Sequence, residues 1–194
     1  MKMYNFAPDK KAEAFTYINQ GKYNVDAIAE KLSKFGDEWF LDTTRQYEYS
    51  VHSLTNSYFI YEHSNKWTYG LPYNAEYRCT DDELFALIKP IIKDLEQIHK
   101  GKVGKCVFLR LPPGKVVYEH VDVGDYLNAA RRHHIAIQTN PDTFFRVDKE
   151  KKNMLVGDCW EINNMKLHFA ENNGNTDRIH LLIDILPDDI FTTA

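Results

Sequence analysis

Met165-Lys166-Leu167-His168-Phe169-Ala170, Glu171-Asn172-Asn173-Gly174-Asn175-Thr176-Asp177 and Arg178-Ile179-His180-Leu181-Leu182-Ile183 follow one another without a break. Two apolar runs around a tip of Asn and Gly predict a β-hairpin. With the turn centred near Asn173, His168 and Arg178 are equally far from it and face each other across the pair. Directly opposed residues share a face, with Cβ atoms roughly 4.5–5.5 Å apart. Upstream, His120-Val121-Asp122 sets a histidine and a carboxylate at i and i+2. On a strand these point to one face, because side chains alternate with period two. Both can then hold one ion, and a histidine from a distant strand would complete a set of two imidazoles and one carboxylate. Such a set leaves about three of six positions open on an octahedral Fe(II), which suits oxygen chemistry rather than a closed structural site. A guanidinium beside the third ligand could grip a carboxylate in two places, as a keto-acid chelating the metal at its other end would require. His180 competes with His168 for the distal place; the facing of His168 and Arg178 favours His168.

Working outward, short β segments succeed one another from residue 103: 105–111, 116–123, 131–139, 143–148, 153–156, 159–163, 165–170 and 178–186. Eight short strands with a charged tip (Asp148-Lys149-Glu150-Lys151-Lys152) and an Asn/Gly tip predict a double-stranded β-helix, a jelly roll of cupin type. In 131–138, Ile135 and Ile137 form the apolar face, while Arg132, His134, Ala136 and Gln138 take the other. The run from Arg178 is apolar enough to be buried on both faces, so its arginine needs an anion. Asp177 and Glu171 are the candidates within the chain, and a ligand carboxylate is the alternative.

The order H-x-D, then a distal His, then an Arg ten residues on, resembles the iron(II)/2-oxoglutarate dioxygenases. Within them it is most like the aspartyl/asparaginyl β-hydroxylase-like group, which includes enzymes that hydroxylate free proline. Three stretches agree. Leu111-Pro112-Pro113-Gly114 is similar to the turn leading into the first ligand strand. Arg131-Arg132-His133-His134-Ile135-Ala136-Ile137 is similar to the group's Arg/His strand, and Gly157-Asp158-Cys159-Trp160-Glu161-Ile162-Asn163 to its strand before the distal ligand. The match covers roughly residues 103–186. The resemblance implies Fe(II) on His120, Asp122 and His168; some members lack the carboxylate, and here Asp122 is present. It further implies 2-oxoglutarate with its far carboxylate on Arg178, Arg132 and His134 near this co-substrate, and O₂ as the oxidant. The implied substrate is an amino-acid side chain, in a polypeptide (Asp, Asn or Pro) or as a free amino acid, with release of succinate and CO₂. In one departure, Leu109 stands where some relatives carry a hydroxyl that helps grip 2-oxoglutarate. Asn163 and Trp160 are further candidates for the pocket wall. A non-catalytic metal-binding cupin is the rival, though Arg178 would then have no co-substrate to hold; a zinc hydrolase is a poorer third.

With 194 residues and 43% hydrophobic content, the chain can bury a core of its own as one domain, 1–194. Residues 1–100 are expected to buttress a catalytic jelly roll over 103–186. A net charge of -4 gives no reason to expect nucleic acid. Cys79, Cys106 and Cys159 are odd in number and form no C-x-x-C, which fits a reducing compartment. The start has no leader-like apolar region and no run approaches ~18 apolar residues, so a soluble cytoplasmic protein without a membrane partner is expected. No Walker A or nucleophile-elbow motif occurs, which removes support for nucleotide and serine-hydrolase readings. Nothing in the sequence sets an oligomeric state.

The first hundred residues predict helices within 8–35, one with Ala12, Phe15 and Ile18 on a face, the next with Val25, Ile28, Ala29, Leu32 and Phe35. Asn24 or Asp26 would start the second and Gly36 end it. Aromatic and β-branched richness predicts strands over 39–63, including 47–54 and 57–63. Arg45 and His52 there are candidates for one wall of a substrate pocket. Residues 81–99 form the clearest helix, with an acidic first turn and Gly101 at its end, and Pro90 expected to kink or split it. Its apolar stripe should pack on the outer face of a sheet.

Overall fold

The computed structural model describes residues 14–63 and 75–191. The first strands in chain order are β1 (Tyr17–Lys22), β2 (Asn56–Glu62), β3 (Glu76–Tyr77), β4 (Gly101–Leu111) and β5 (Lys115–His120). Then come β6 (Arg131–Gln138), β7 (Thr143–Val147), β8 (Glu150–Lys152), β9 (Asp158–Ile162), β10 (His168–Asn172) and β11 (Arg178–Pro187). The α-helices are α1 (Asp26–Leu32), α2 (Thr44–Glu48), α3 (Asp82–His99) and α4 (Asp125–Ala129). A major sheet runs β1-β9-β6-β11-β4-β2-β3 and a minor sheet β5-β10-β7-β8, all neighbours antiparallel. This is the expected jelly roll, mainly β, with helices on its outer face. None of the described helices is long and apolar enough to cross a membrane.

The major sheet is covered on both sides, and period two sorts its residues accordingly. Ile135 and Ile137 of β6, and Ile179, Leu181, Ile183 and Ile185 of β11, join one core with Leu84, Ile88, Ile91, Ile92 and Leu95 of α3. The alternate residues Arg132, His134 and Ala136, and Arg178, His180, Leu182 and Asp184, face the minor sheet. Ala136 packs there with Phe145, Val147 and Ala170. The spacing i, i+4, i+7, i+8, i+11 of the α3 residues makes one stripe. Its start is fixed by Asp81, whose carboxylate accepts from the Leu84 N–H at 2.9 Å. Lys100, left-handed at φ 46°, ends it. Pro90 lies inside a helix that runs unbroken from 82 to 99, so it is not split there.

Several expectations are corrected. Residues 165–186 do not form a hairpin: β10 pairs with β5 and β7, whereas β11 pairs with β4 and β6. The Asn-rich tip carries the chain from one sheet to the other. Asn172 and Asn140 organise that crossing, the Asn172 amide donating to Leu111 O at 2.9 Å and Thr176 O at 2.8 Å. Tyr17–Lys22, expected to be helical, is a strand on β9; Ala12 lies outside the described residues. Residues 44–52, expected to be extended, form α2 and a single 3₁₀ turn, Ser50–His52. The expected strand at 153–156 falls instead at Glu150–Lys152. The first hundred residues also do more than buttress, since β1 and β2 extend the major sheet itself.

Ile88 is fully buried while Leu87 beside it is 37% exposed. Ile88→Ala should cost roughly 2–5 kcal/mol of unfolding free energy. Leu87→Ala should stay within about 0.5 kcal/mol, and urea titration of the pair checks both.

Candidate active site

The minor sheet brings the two predicted histidines together by register. His168 opens β10 directly opposite His120, the last residue of β5, and their rings stand 4.2 Å apart, centroid to centroid. Asp122 reaches them differently from expectation, because β5 ends at His120 and Asp122 lies in the loop before α4. Asn164 holds that loop: its carbonyl accepts from Asp122 N at 3.1 Å and its amide donates to Asp122 Oδ2 at 3.0 Å. One donor atom from each of His120, Asp122 and His168 lies within 4.8 Å of the others. The His120 Nδ1 donates to Tyr118 O at 2.6 Å and the His168 Nδ1 to Lys166 O at 2.8 Å. A carbonyl can only accept, so each ring keeps its Nε2 lone pair for a ligand.

Behind the triad lies a buried ionic chain. Arg132 donates through Nε to Asp184 Oδ1 at 2.8 Å and through Nη2 to Asp184 Oδ2 at 2.7 Å. Its Nη1 donates to Asp122 Oδ2. Tyr126 adds a hydroxyl to Asp184 Oδ2 at 3.3 Å. Burial alone would raise the Asp122 carboxyl, but Arg132, then His168 and His120, outweigh it and hold it well below the ordinary range. Arg132 thus lines the site, yet its guanidinium is spent on two carboxylates. Asp184, Tyr126 and Asn164 had no visible signal in the sequence beyond the polar positions of otherwise apolar strands.

Arg178 is the opposite case. It is 4% exposed and lines the same inner pocket as His120, His134 and His168. Its in-chain candidates are taken: Asp177 pairs with Arg110 at 2.7 Å and Glu171 with Lys151 at 2.6 Å. Arg178 Nη2 donates to His180 Nδ1 at 3.1 Å and the guanidinium stands over the Phe145 ring. Among the described residues no carboxylate pairs with it. Burial pushes it down to about 9. His134 faces the pocket with a buried Nδ1 that has no hydrogen-bond partner among the described residues. Asn163 is fully buried and instead ties down the chain before β1, its N–H donating to Thr16 O at 3.0 Å. Trp160 packs edge-on against Tyr17. Leu109 contributes apolar wall.

A family model described as aspartyl/asparaginyl beta-hydroxylase matches residues 26–187. The chain belongs to the aspartyl/asparaginyl β-hydroxylase family. It is a hydroxylase of the 2-oxoglutarate-dependent kind. No curated protein matches it in sequence. Among solved structures, it is similar to a viral collagen prolyl hydroxylase from Paramecium Bursaria Chlorella virus-1 in complex with 2OG. That match has a TM-score of 0.54 and 11% identity, over 90% of this chain and 97% of the other. A 2OG-Fe(II) oxygenase family oxidoreductase from Burkholderia pseudomallei gives a TM-score of 0.52 at 9% identity, over 86% and 91%. At such identities the likeness is one of fold.

The hydroxylase also has an outer cleft of about 790 Å³ reaching to the triad, lined by Arg45, His52, His63, Lys105, His120 and Asp122 among others. Arg45 and His52, singled out from the sequence, do stand at the site: His52 meets His120 edge-on at 5.1 Å. Burial, with Arg45 and Arg132 nearby, pushes Lys105 down to about 8.

Several histidines here are kept neutral by burial. His63 and His168 are pushed down to about 4, and His134 and His180 well below their ordinary value. In the unfolded chain each titrates near 6.5. Between pH 6.5 and 4 the unfolded state therefore binds more protons, so stability falls as pH falls. With chelator present, the urea midpoint should drop steadily from pH 7 to 4.5; a flat profile would contradict the neutral assignment. Asp184→Asn should weaken divalent-metal affinity by about 10–100-fold, as loss of a partner behind a ligand does, measured by calorimetric titration with Mn(II).

Proposed function

We propose that His120, Asp122 and His168 hold Fe(II), and that Arg178 binds the far carboxylate of 2-oxoglutarate. The observation that carries this reading is the buried guanidinium of Arg178, which has no carboxylate partner among the described residues and opens on the triad's pocket. A buried cation without a counter-ion is costly, and a dicarboxylate spanning from metal to arginine removes the cost. The donor set fits: two imidazole nitrogens and one carboxylate oxygen leave open positions for a chelating co-substrate and O₂. His134 offers its orphaned Nδ1 to the same ligand, while Arg132 acts through Asp122, fixing its plane. When bound, iron and 2-oxoglutarate supply the oxidising chemistry that yields succinate and CO₂ and inserts hydroxyl into an unactivated C–H bond. The chain's own part is to orient the ligands, exclude water and keep His168 neutral.

The substrate enters by the outer cleft, with Arg45 and Lys105 taking a carboxylate. Neither has an ion-pair partner among the described residues, whereas Glu48 and Glu76 bring acidic groups to the same cleft. Opposite charges lining one cleft suit an amino acid, free or in a short peptide. A non-catalytic cupin would leave Arg178 with no task.

Succinate production from 2-oxoglutarate with Fe(II) tests the assignment. Arg178→Ala should lower it at least ~30-fold, since truncating one side of a buried charge pair costs about 2–5 kcal/mol. Arg178→Lys should recover part of it through a raised KM for 2-oxoglutarate. Anaerobic Fe(II) with N-oxalylglycine should raise the melting temperature of the wild type. No succinate and no shift at saturating ligand would refute the reading. Mass spectrometry of an amino-acid panel for a product with one added oxygen identifies the substrate.

A further inference from the structure

The face of the major sheet beneath α3 is apolar except at one corner. There His133 of β6 lies opposite Glu161 of β9 in register, and His99, the last residue of α3, comes down beside them. His133 is 0% exposed and Glu161 1%, depths at which ionisable groups need strong compensation. One donor atom from each of the three lies within 4.8 Å of the others.

We infer that His99, His133 and Glu161 bind a divalent cation of the zinc class, on the side of the major sheet away from the His120–Asp122–His168 cluster. The orientation of His133 is the first support. Its Nδ1 donates to Ile183 O at 3.2 Å, so the ring presents the Nε2 lone pair toward His99 Nε2, 2.8 Å away. Tying Nδ1–H to a backbone carbonyl is how metal-bound imidazoles are commonly fixed, and His120 and His168 are held in the same way. The second support is Glu161. Gln20 donates to its Oε2 at 3.1 Å and Arg131 Nη1 stands 3.3 Å from its Oε1. These contacts set the carboxylate plane. Third, the C-terminal end of α3 carries partial negative charge that favours a cation.

Two nitrogens and one oxygen suit zinc, with water as the fourth ligand on the half-buried His99 side. Zn–N bonds of about 2.0–2.1 Å set tetrahedral nitrogens roughly 3.3 Å apart. The two imidazoles therefore part by roughly half an ångström, which the His99 side chain, at a helix end, can supply. The ion ties the end of α3 to β6 and β9, and β6 carries Arg132 and His134 on its other face.

The test counts metal. Full-length protein is stripped with chelator, loaded with Zn(II), freed of excess by gel filtration, and assayed for zinc per chain. Wild type is expected to hold two, His99→Ala one, His168→Ala one, and the double variant none. A wild-type count of one that is lost only in His99→Ala keeps this site and counts against the triad. An unchanged count in His99→Ala, or a wild-type count of one that vanishes in His168→Ala, overturns the inference and leaves a plain His–His hydrogen bond. Should His168→Ala fail to fold, Glu161→Gln replaces it: chelator should lower the wild-type melting temperature more than that of Glu161→Gln, and equal shifts overturn the inference.

Discussion

Arg132 is held between two buried carboxylates, and most of the site depends on that contact. Asp184 lies opposite it in the β6–β11 register, so the pair is a cross-strand contact on the inner face and locks the alignment of the two central strands. Slipping by one residue would send Arg132 into the apolar layer under α3, which the cost of burying an unpaired charge forbids. The same guanidinium fixes Asp122, which belongs to no strand. Support extends outward through Tyr126. Its ring lies so close to β4 that a Cβ at Gly104 would come within 2.6 Å of the hydroxyl, so the absence of a side chain at Gly104 is what lets Tyr126 reach Asp184.

One arginine between two aspartates leaves this ionic cluster with surplus negative charge beside the His168 imidazole, which burial keeps neutral. That balance separates two tasks. Arg132 neutralises enough charge for the carboxylates to be buried, and the remainder is directed at the space between His120, Asp122 and His168. A jelly roll suits this division because its major sheet is covered on both sides. The outer apolar layer supplies the burial energy, and the inner positions of β6 and β11 are free to be Arg132, His134, Arg178, His180 and Asp184.

How far the sequence reveals this depends on the range of the interactions involved. The β run from β4 to β11, apart from the strand expected at 153–156, and the helix α3 are written in local periodicity and stand where expected, whereas of the H-x-D pair only His120 lies on its strand, Asp122 falling in the loop beyond it. The Asn/Gly tip at 173–177 was misleading because turn residues report a change of direction, not the strand that follows it. Asn172 bonds to Leu111 and Thr176, contacts that a crossing between sheets needs and a two-stranded hairpin does not. His168 and Arg178 share a pocket from opposite sheets, not from adjacent strands. Tyr17–Lys22 reads as helical because its partner β9 lies about 140 residues on, so its extended form is imposed by pairing. Residues 44–52 show the converse: their aromatic content resembles strand, but Tyr47 and Tyr49 are exposed and no strand among the described residues pairs with them. Asn164 is invisible in sequence because its role is a loop-to-loop bond to Asp122.

Two arginines buried on the inner face of the same sheet invite comparison. Arg132 has its carboxylates built into the fold, so its charge is already accounted for when the chain folds. Arg178 has hydrogen bonding to His180 and an aromatic ring to lie over, neither of which supplies negative charge. A protein gains nothing in stability from such a residue; an apolar side chain at that inner position would serve packing better. Retaining an uncompensated cation there is intelligible when the anion arrives from outside, and the pocket that joins Arg178 to His120 and His168 sets both the charge and the direction such an anion would have.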